Sequence, residues 1–139
     1  MLMSFLEKYK DVGVLLIRIG LGLMFMYHGW PKLTGGPDSW RQLGMAMGNL
    51  GITFFPAVWG LMSASAEFIG GACLFVGFMT RPICVLMAFN MLVASVFHLR
   101  KGDGLMLASH AIESCIVFTG LVFIGSGKYS VDSLLAINK

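Results

Sequence analysis

Four apolar runs divide the chain, Val12–Trp30, Phe55–Met79, Ile83–Leu99 and Leu105–Gly125. About 20 helical residues cross a bilayer core, and in lipid a segment must satisfy its own backbone polar groups, so each run predicts a transmembrane helix. The breaks hold helix stoppers and charge: Pro31, Gly35, Gly36 and Pro37, then Thr80-Arg81-Pro82, then Arg100-Lys101-Gly102-Asp103-Gly104. Between the first two runs, Ser39 to Leu50 sets Trp40, Leu43, Met47 and Leu50 on one side and opens with the capping-box pattern Ser39-Trp40-Arg41-Gln42. That predicts a short interfacial helix ending near Gly51. Residues 1–11 read as an amphipathic lead-in at the membrane surface, and Gly127 onward as a polar tail. Short connections force neighbouring helices to run antiparallel. The expected fold is all-α: an integral membrane antiparallel four-helix bundle with an interfacial helix between spans one and two, in a single domain over residues 1–139.

Composition agrees with the pattern. Hydrophobic residues make up 57% of the chain and charged residues 12%, against about 25% charged in a soluble domain, and mean hydropathy is +0.80. The environment implied is the lipid bilayer. A net charge of +3 scattered over loops and tails gives no nucleic-acid footprint. Lys8 and Lys10 precede an apolar run as in a signal peptide, but the run is long, holds an arginine and lacks a small-x-small cleavage site. Lys8, Lys10, Arg81, Lys128 and Lys139 fall on one side, Lys32, Arg41, Arg100 and Lys101 on the other, which favours cytoplasmic termini. Cys73, Cys84 and Cys115 lie in apolar segments without a CxxC pair and read as packing residues.

The ionisable groups inside the spans are the candidate chemistry. One charge at mid-depth costs roughly 2.5–3.5 kcal/mol on insertion scales, so each should face protein or water. Arg18 shares a helical face with Gly22, Phe25 and Gly29, with His28 about 80° away. At 1.5 Å per residue, Arg18 lies about 18 Å from Trp30 and Glu67 about 18 Å from Phe55, which predicts that the two meet. Glu67 lies in a strip of Gly60, Ser63, Ala64, Gly70 and Gly71 that admits a close backbone. His28, His98 and His110 fall on one membrane side, with Glu113 one turn from His110 on the same face. His98 shares a face with Ala94, Met91 and Met87, and Asn90 lies at its edge. Two acids for one arginine leave a carboxyl over, which suits proton transfer. The expected site is a cavity on the histidine side, bounded by spans one, two and four. Glu113 and His110 are its catalytic pair, and His28, His98, Arg18 and Glu67 are binding residues. No multi-ligand spacing such as HxxxH occurs, so no metal is expected.

With these residues placed, the chain resembles the DoxX family of small four-helix membrane proteins. The likeness is carried by Arg18, Gly22, His28-Gly29 and Lys32-Leu33, by Glu67, Gly70-Gly71, Gly77 and Thr80-Arg81, and by Glu113 with Gly125-x-Gly127-x-Tyr129-Ser130-x-Asp132. Such a resemblance implies a bacterial inner-membrane location. The family includes a subunit of an archaeal thiosulfate:quinone oxidoreductase, and more distant relatives act in membrane-protein assembly or cargo handling. The functional expectation is a quinone-linked redox membrane subunit, with quinone as the cofactor and a second copy or a redox subunit as partner. In this reading His110 and Glu113 bind and protonate the quinone head group. The alternatives are a non-enzymatic accessory or assembly protein and a small-molecule or proton transporter.

Overall fold

The computed structural model describes residues 2–136, with side chains from Phe5; Met1 and Lys139 lie outside the described residues. The elements are α1 (Leu2–Glu7), α2 (Lys10–Thr34), α3 (Gly36–Gly44), a 3-10 helix (Met45–Leu50), α4 (Pro56–Val76), α5 (Thr80–Lys101), α6 (Gly104–Ile124) and α7 (Val131–Leu134). Helices α2, α4, α5 and α6 are long and apolar enough to span a membrane. They form an antiparallel bundle in chain order around Phe25, Leu74, Cys84, Met87, Met91, Phe118 and Leu121, and α2 closes on α6 where Phe25 and Phe118 meet edge to face at 4.9 Å. Leu16, Leu23, Val85, Leu92, Ile116 and Phe123 remain on the outside, as lipid-facing positions do.

Two boundaries depart from the sequence pattern. Helix α2 does not stop at Pro31 but continues to Thr34. A proline deletes one helical N–H and is tolerated in spans where neighbours satisfy the freed groups. The last turn of α2 instead ends on Trp40, whose indole Nε1 donates to the carbonyls of Lys32 (3.0 Å) and Leu33 (3.2 Å). The capping box does not form either, because α3 starts at Gly36 and Ser39 already lies in its first turn. Two glycines bring α3 onto the start of α4. A Cβ on Gly44 would come within 1.7 Å of the Pro56 carbonyl oxygen, and one on Gly60 within 1.7 Å of the Trp40 carbonyl oxygen.

That docking overturns the expected meeting of Arg18 with Glu67. The α3 segment packs beside the first turns of α4, so α4 begins beyond the end of α2 and the two helices are not flush. Along their interface Gly29 faces Glu67 and Phe68, Gly22 faces Gly71 and Phe75, and Arg18 reaches the last turn of α4. Arg18 is 1% exposed and donates to four carbonyls: Leu74 (3.2 Å), Phe75 (3.4 Å), Tyr129 (3.0 Å) and Ser126. Two of these belong to the end of α4, whose last carbonyls lack helical partners, so the cation also answers the negative helix end. The other two belong to the polar tail, which folds back instead of trailing.

Asp132, 1% exposed, completes this end of the bundle. Its carboxylate accepts from the backbone N–H of Met79 (2.7 Å) and of Thr80 (2.9 Å), capping α5 from 52 residues away, and its own N–H donates to the Gly77 carbonyl (2.9 Å). It also attracts Arg18 electrostatically. Gly77 ends α4 at φ +74° and has no room for a side chain: a Cβ would lie 2.7 Å from Arg18 Cζ and 2.6 Å from Ser130 Cβ.

Arg18→Met should therefore lower stability by about 3–5 kcal/mol, and Asp132→Asn by a smaller amount, in unfolding of the purified protein in detergent. Because both act on one cluster, the double variant should cost less than the sum of the singles. Gly60→Ala should lower the melting temperature by forcing α3 off α4. Gly20→Ala, at a position with nothing within 4 Å, should leave it unchanged or raised.

Candidate functional site

The polar groups of the spans separate into three places. Arg18 holds helix ends with Asp132. Glu67 and His98 line a cavity. His28, His110 and Glu113 lie exposed on the outside of the bundle.

The cavity holds about 740 Å³ between α4, α5 and the segment formed by α3 and the 3-10 helix. Its walls are mainly apolar, with Met62, Ile69, Leu86, Phe89, Val93 and Phe97 prominent. Polar groups converge on one part of the wall. Lys32 Nζ lies 2.8 and 2.7 Å from the two carboxylate oxygens of Glu67. Asn90 Nδ2 donates to Glu67 Oε1 (3.3 Å), and Ser63 Oγ donates to Asn90 Oδ1 (2.7 Å).

Close helix approach builds this group. Gly29 lets α2 come so near that a Cβ would sit 2.6 Å from the Phe68 N, which brings the last turn of α2 to the level of Glu67. Lys32 then reaches inward along α4. Its side chain is 38% exposed while that of Glu67 is 5% exposed, so the lysine is the snorkelling member and the acid the buried one. Glu67 lies midway along α4, about 16 Å from Pro56 along the axis. Such a group needs a cation there.

His98 lines the same cavity from the last turn of α5. Its Nδ1 lies 2.8 Å from Asp103 Oδ2 in the α5–α6 turn, and Lys101 Nζ lies 3.8 Å from Asp103 Oδ1. A carboxylate at Nδ1 fixes the ring orientation and leaves Nε2 for another partner. The cavity thus offers an ammonium, an amide, a carboxylate and an oriented imidazole inside an apolar shell. This suits a mainly apolar molecule with a polar, carbonyl-type head.

The expected cavity between spans one, two and four is therefore corrected: spans two and three bound it, with Lys32 supplied by span one. The structure does bring His28 and His110 together, ring centroids 5.9 Å apart, with His110 stacked on Phe25 at 6.5 Å. Glu113 faces outward one turn away, outside the cavity. Lys32 as the partner of Glu67 is hidden in the sequence because Pro31 marks a helix end there, and the roles of Asp132 and Asp103 are hidden because both lie in segments with a loop's composition. Among the described residues no group of three or more His, Cys, Asp or Glu could hold a metal ion.

The ion pair is asymmetric, and its variants should be too. Lys32→Met leaves Glu67 buried without a cation and should cost about 3–5 kcal/mol. Glu67→Gln frees a lysine that can swing to the surface and should cost less. Adding Glu67→Gln to Lys32→Met should recover part of the loss, measured as the melting temperature in detergent.

Comparison with known proteins places this architecture. The family model DoxX matches residues 13–100. The chain is 35% identical over 133 residues to the inner membrane protein YqjF of Escherichia coli (strain K12), covering 94% of this chain and 97% of the relative. It is 31% identical over 91 residues to a Bacillus subtilis (strain 168) protein named "Putative oxidoreductase CatD", covering 66% of this chain and 63% of that protein. An uncharacterized protein of Haemophilus influenzae (strain ATCC 51907 / DSM 11121 / KW20 / Rd) is 27% identical over 137 residues, covering 94% of this chain and 96% of the relative. No solved structure matches. Four antiparallel spans, a match over most of their length and a near full-length inner-membrane relative agree that this chain belongs to the DoxX family.

Proposed function

We propose that the chain is the quinone-binding membrane subunit of an oxidoreductase, and that the cavity between α4 and α5 receives the quinone. One observation carries this reading: a cavity of about 740 Å³ with apolar walls holds the Lys32–Glu67–Asn90 group against one wall and the Asp103-bound His98 on another. A quinone has the matching division, an isoprenoid tail for the Met and Phe walls and carbonyl oxygens that need donors. The oxidoreductase name of the Bacillus subtilis relative points the same way.

Reduction of a quinone to a quinol takes two electrons and two protons. The electrons come from a partner redox subunit, and this chain supplies binding and proton handling. Lys32 and Asn90 are the donors toward a carbonyl oxygen. His98, oriented by Asp103 at the α5–α6 turn, is placed to exchange protons with the aqueous side. The site lies on the opposite flank of the bundle from the Glu113–His110 pair, where the sequence had located it.

The test is titration of the protein, reconstituted in lipid nanodiscs, with a short-chain quinone followed by tryptophan fluorescence from Trp59 and Trp40. Asn90→Leu and His98→Ala should each weaken binding about tenfold, the worth of one hydrogen bond to a buried polar head. Ser63→Leu should block it by filling the wall. Arg81→Ala, outside the cavity, should change nothing. Quinone uptake no greater than partition into empty nanodiscs would overturn the reading, and a stoichiometric membrane partner copurifying without quinone would put the accessory role in its place.

A further inference from the structure

The cavity between α4 and α5 is open along one side. Met62 and Ile69 of α4 and Leu86 and Phe89 of α5 line it, yet each is about half exposed, whereas Ala66 and Val93 of the same lining are buried. Side chains that line a cavity and also face outward stand at its mouth. Met62 and Ile69, seven residues apart, share a helical face, and so do Leu86 and Phe89, three apart, so the four form two lips of a slot. At 1.5 Å per residue the lips lie about 9–21 Å from the α4–α5 turn, inside a hydrocarbon core about 30 Å thick. Toward the turn the slot closes, because α4 and α5 touch there: a Cβ on Gly70 would lie 3.2 Å from Met87 Sδ. Toward the start of α4, Leu43 and Met47 of the α3 segment bound the cavity.

We infer that the cavity opens sideways into the bilayer through this slot, and that its ligand is a membrane-dissolved molecule that enters head first and leaves an apolar tail between the lips. Depth selects the occupant. Glu67 and Asn90 lie about 14–15 Å from the α4–α5 turn, level with Phe89 and midway through the hydrocarbon. A phospholipid keeps its charged head group at the surface, and drawing it to that level costs several kcal/mol. A neutral head whose carbonyl oxygens only accept hydrogen bonds travels within the core and meets Lys32 and Asn90 at their own depth. The lips suit its tail, since Met62, Ile69, Leu86 and Phe89 offer a hydrocarbon chain no polar group. Naming that head a quinone rests on the function proposed above; the slot itself does not.

Photolabelling of the full chain in phosphatidylcholine vesicles tests the slot without any quinone. A hydrocarbon diazirine dissolved in the bilayer should mark Ala66 and Glu67 behind the lips, as well as outward positions such as Ile116, and should leave Leu74 and Phe118 of the bundle core unmarked in peptide mass spectrometry. A water-soluble diazirine should mark neither Ala66 nor Glu67. Leu86→Trp, which fills one lip, should lower the bilayer labelling of Glu67 by about tenfold, the effect of roughly 1.4 kcal/mol on passage, and leave Ile116 as before. The same variant should weaken binding of a long-tailed quinone about tenfold and that of a tail-free quinone much less. Ile69→Trp fills the opposite lip should Leu86→Trp fail to fold, and the labelling of the unaltered chain decides without either. Clean cavity walls under the hydrocarbon probe, marking from water, or equal losses for the two quinones would each overturn the proposal. The two readings separate: marking from the bilayer without saturable quinone binding keeps the slot and ends the quinone function, and saturable binding with clean walls does the reverse.

Discussion

A guanidinium removed from water has five N–H donors to satisfy, and the end of the bundle around Arg18 is arranged as the answer. Its acceptors are backbone carbonyls, which neither titrate nor swing away. They come from the open end of one span and from the tail that follows another. Placing them needs the left-handed turn at Gly77, the fold-back of residues 126–132 and the cap that Asp132 gives α5. Arg18 and Asp132 together hold four chain segments, and none of them could shift by a turn without leaving several buried polar groups unpaired.

The opposite end is built on the contrary principle. Lys32 and Glu67 neutralise each other through side chains, one of them part exposed and the other buried. Around it lies space that the packing does not fill. Gly60 and Gly71 let α3 and α2 touch α4, while Ser63, Ala66 and Gly70 leave room on its cavity side, between α5 and the α3 segment. A rigid end and a hollow end follow from where glycine and charge fall along two helices.

Much of this was legible in the sequence. The four spans, the short helix between them and the clustering of the histidines toward one end follow from hydrophobic run lengths, breakers and the alternation of direction. The partners of the charges were not. Depth counting from Trp30 and Phe55 assumed flush helices, and the docking of Gly44 and Gly60 displaced α4 by about two turns, which moved Arg18 from Glu67 to Leu74. Pro31 read as a stop because its missing N–H is visible in sequence, whereas the indole of Trp40 that serves the carbonyls beyond it is not. Face counting did place Glu113 beside His110. It could not say whether that face turned toward the bundle or toward lipid, because α6 is apolar on every side.

The Arg18 cluster also sets an order of events. Arg18 and its acceptor on Ser126 are 108 residues apart. At synthesis rates of about 5–20 residues per second, roughly 5–20 s separate their emergence. Through that interval the first span holds a cation two of whose four acceptors do not yet exist, against a cost of roughly 2.5–3.5 kcal/mol that insertion scales assign to an unanswered charge. Nascent α2 must therefore stay near water, lipid headgroups or the insertion machinery until the last stretch is made. Assembly is completed from the C-terminal side, and a chain halted before Ser126 would carry four apolar spans and no finished fold.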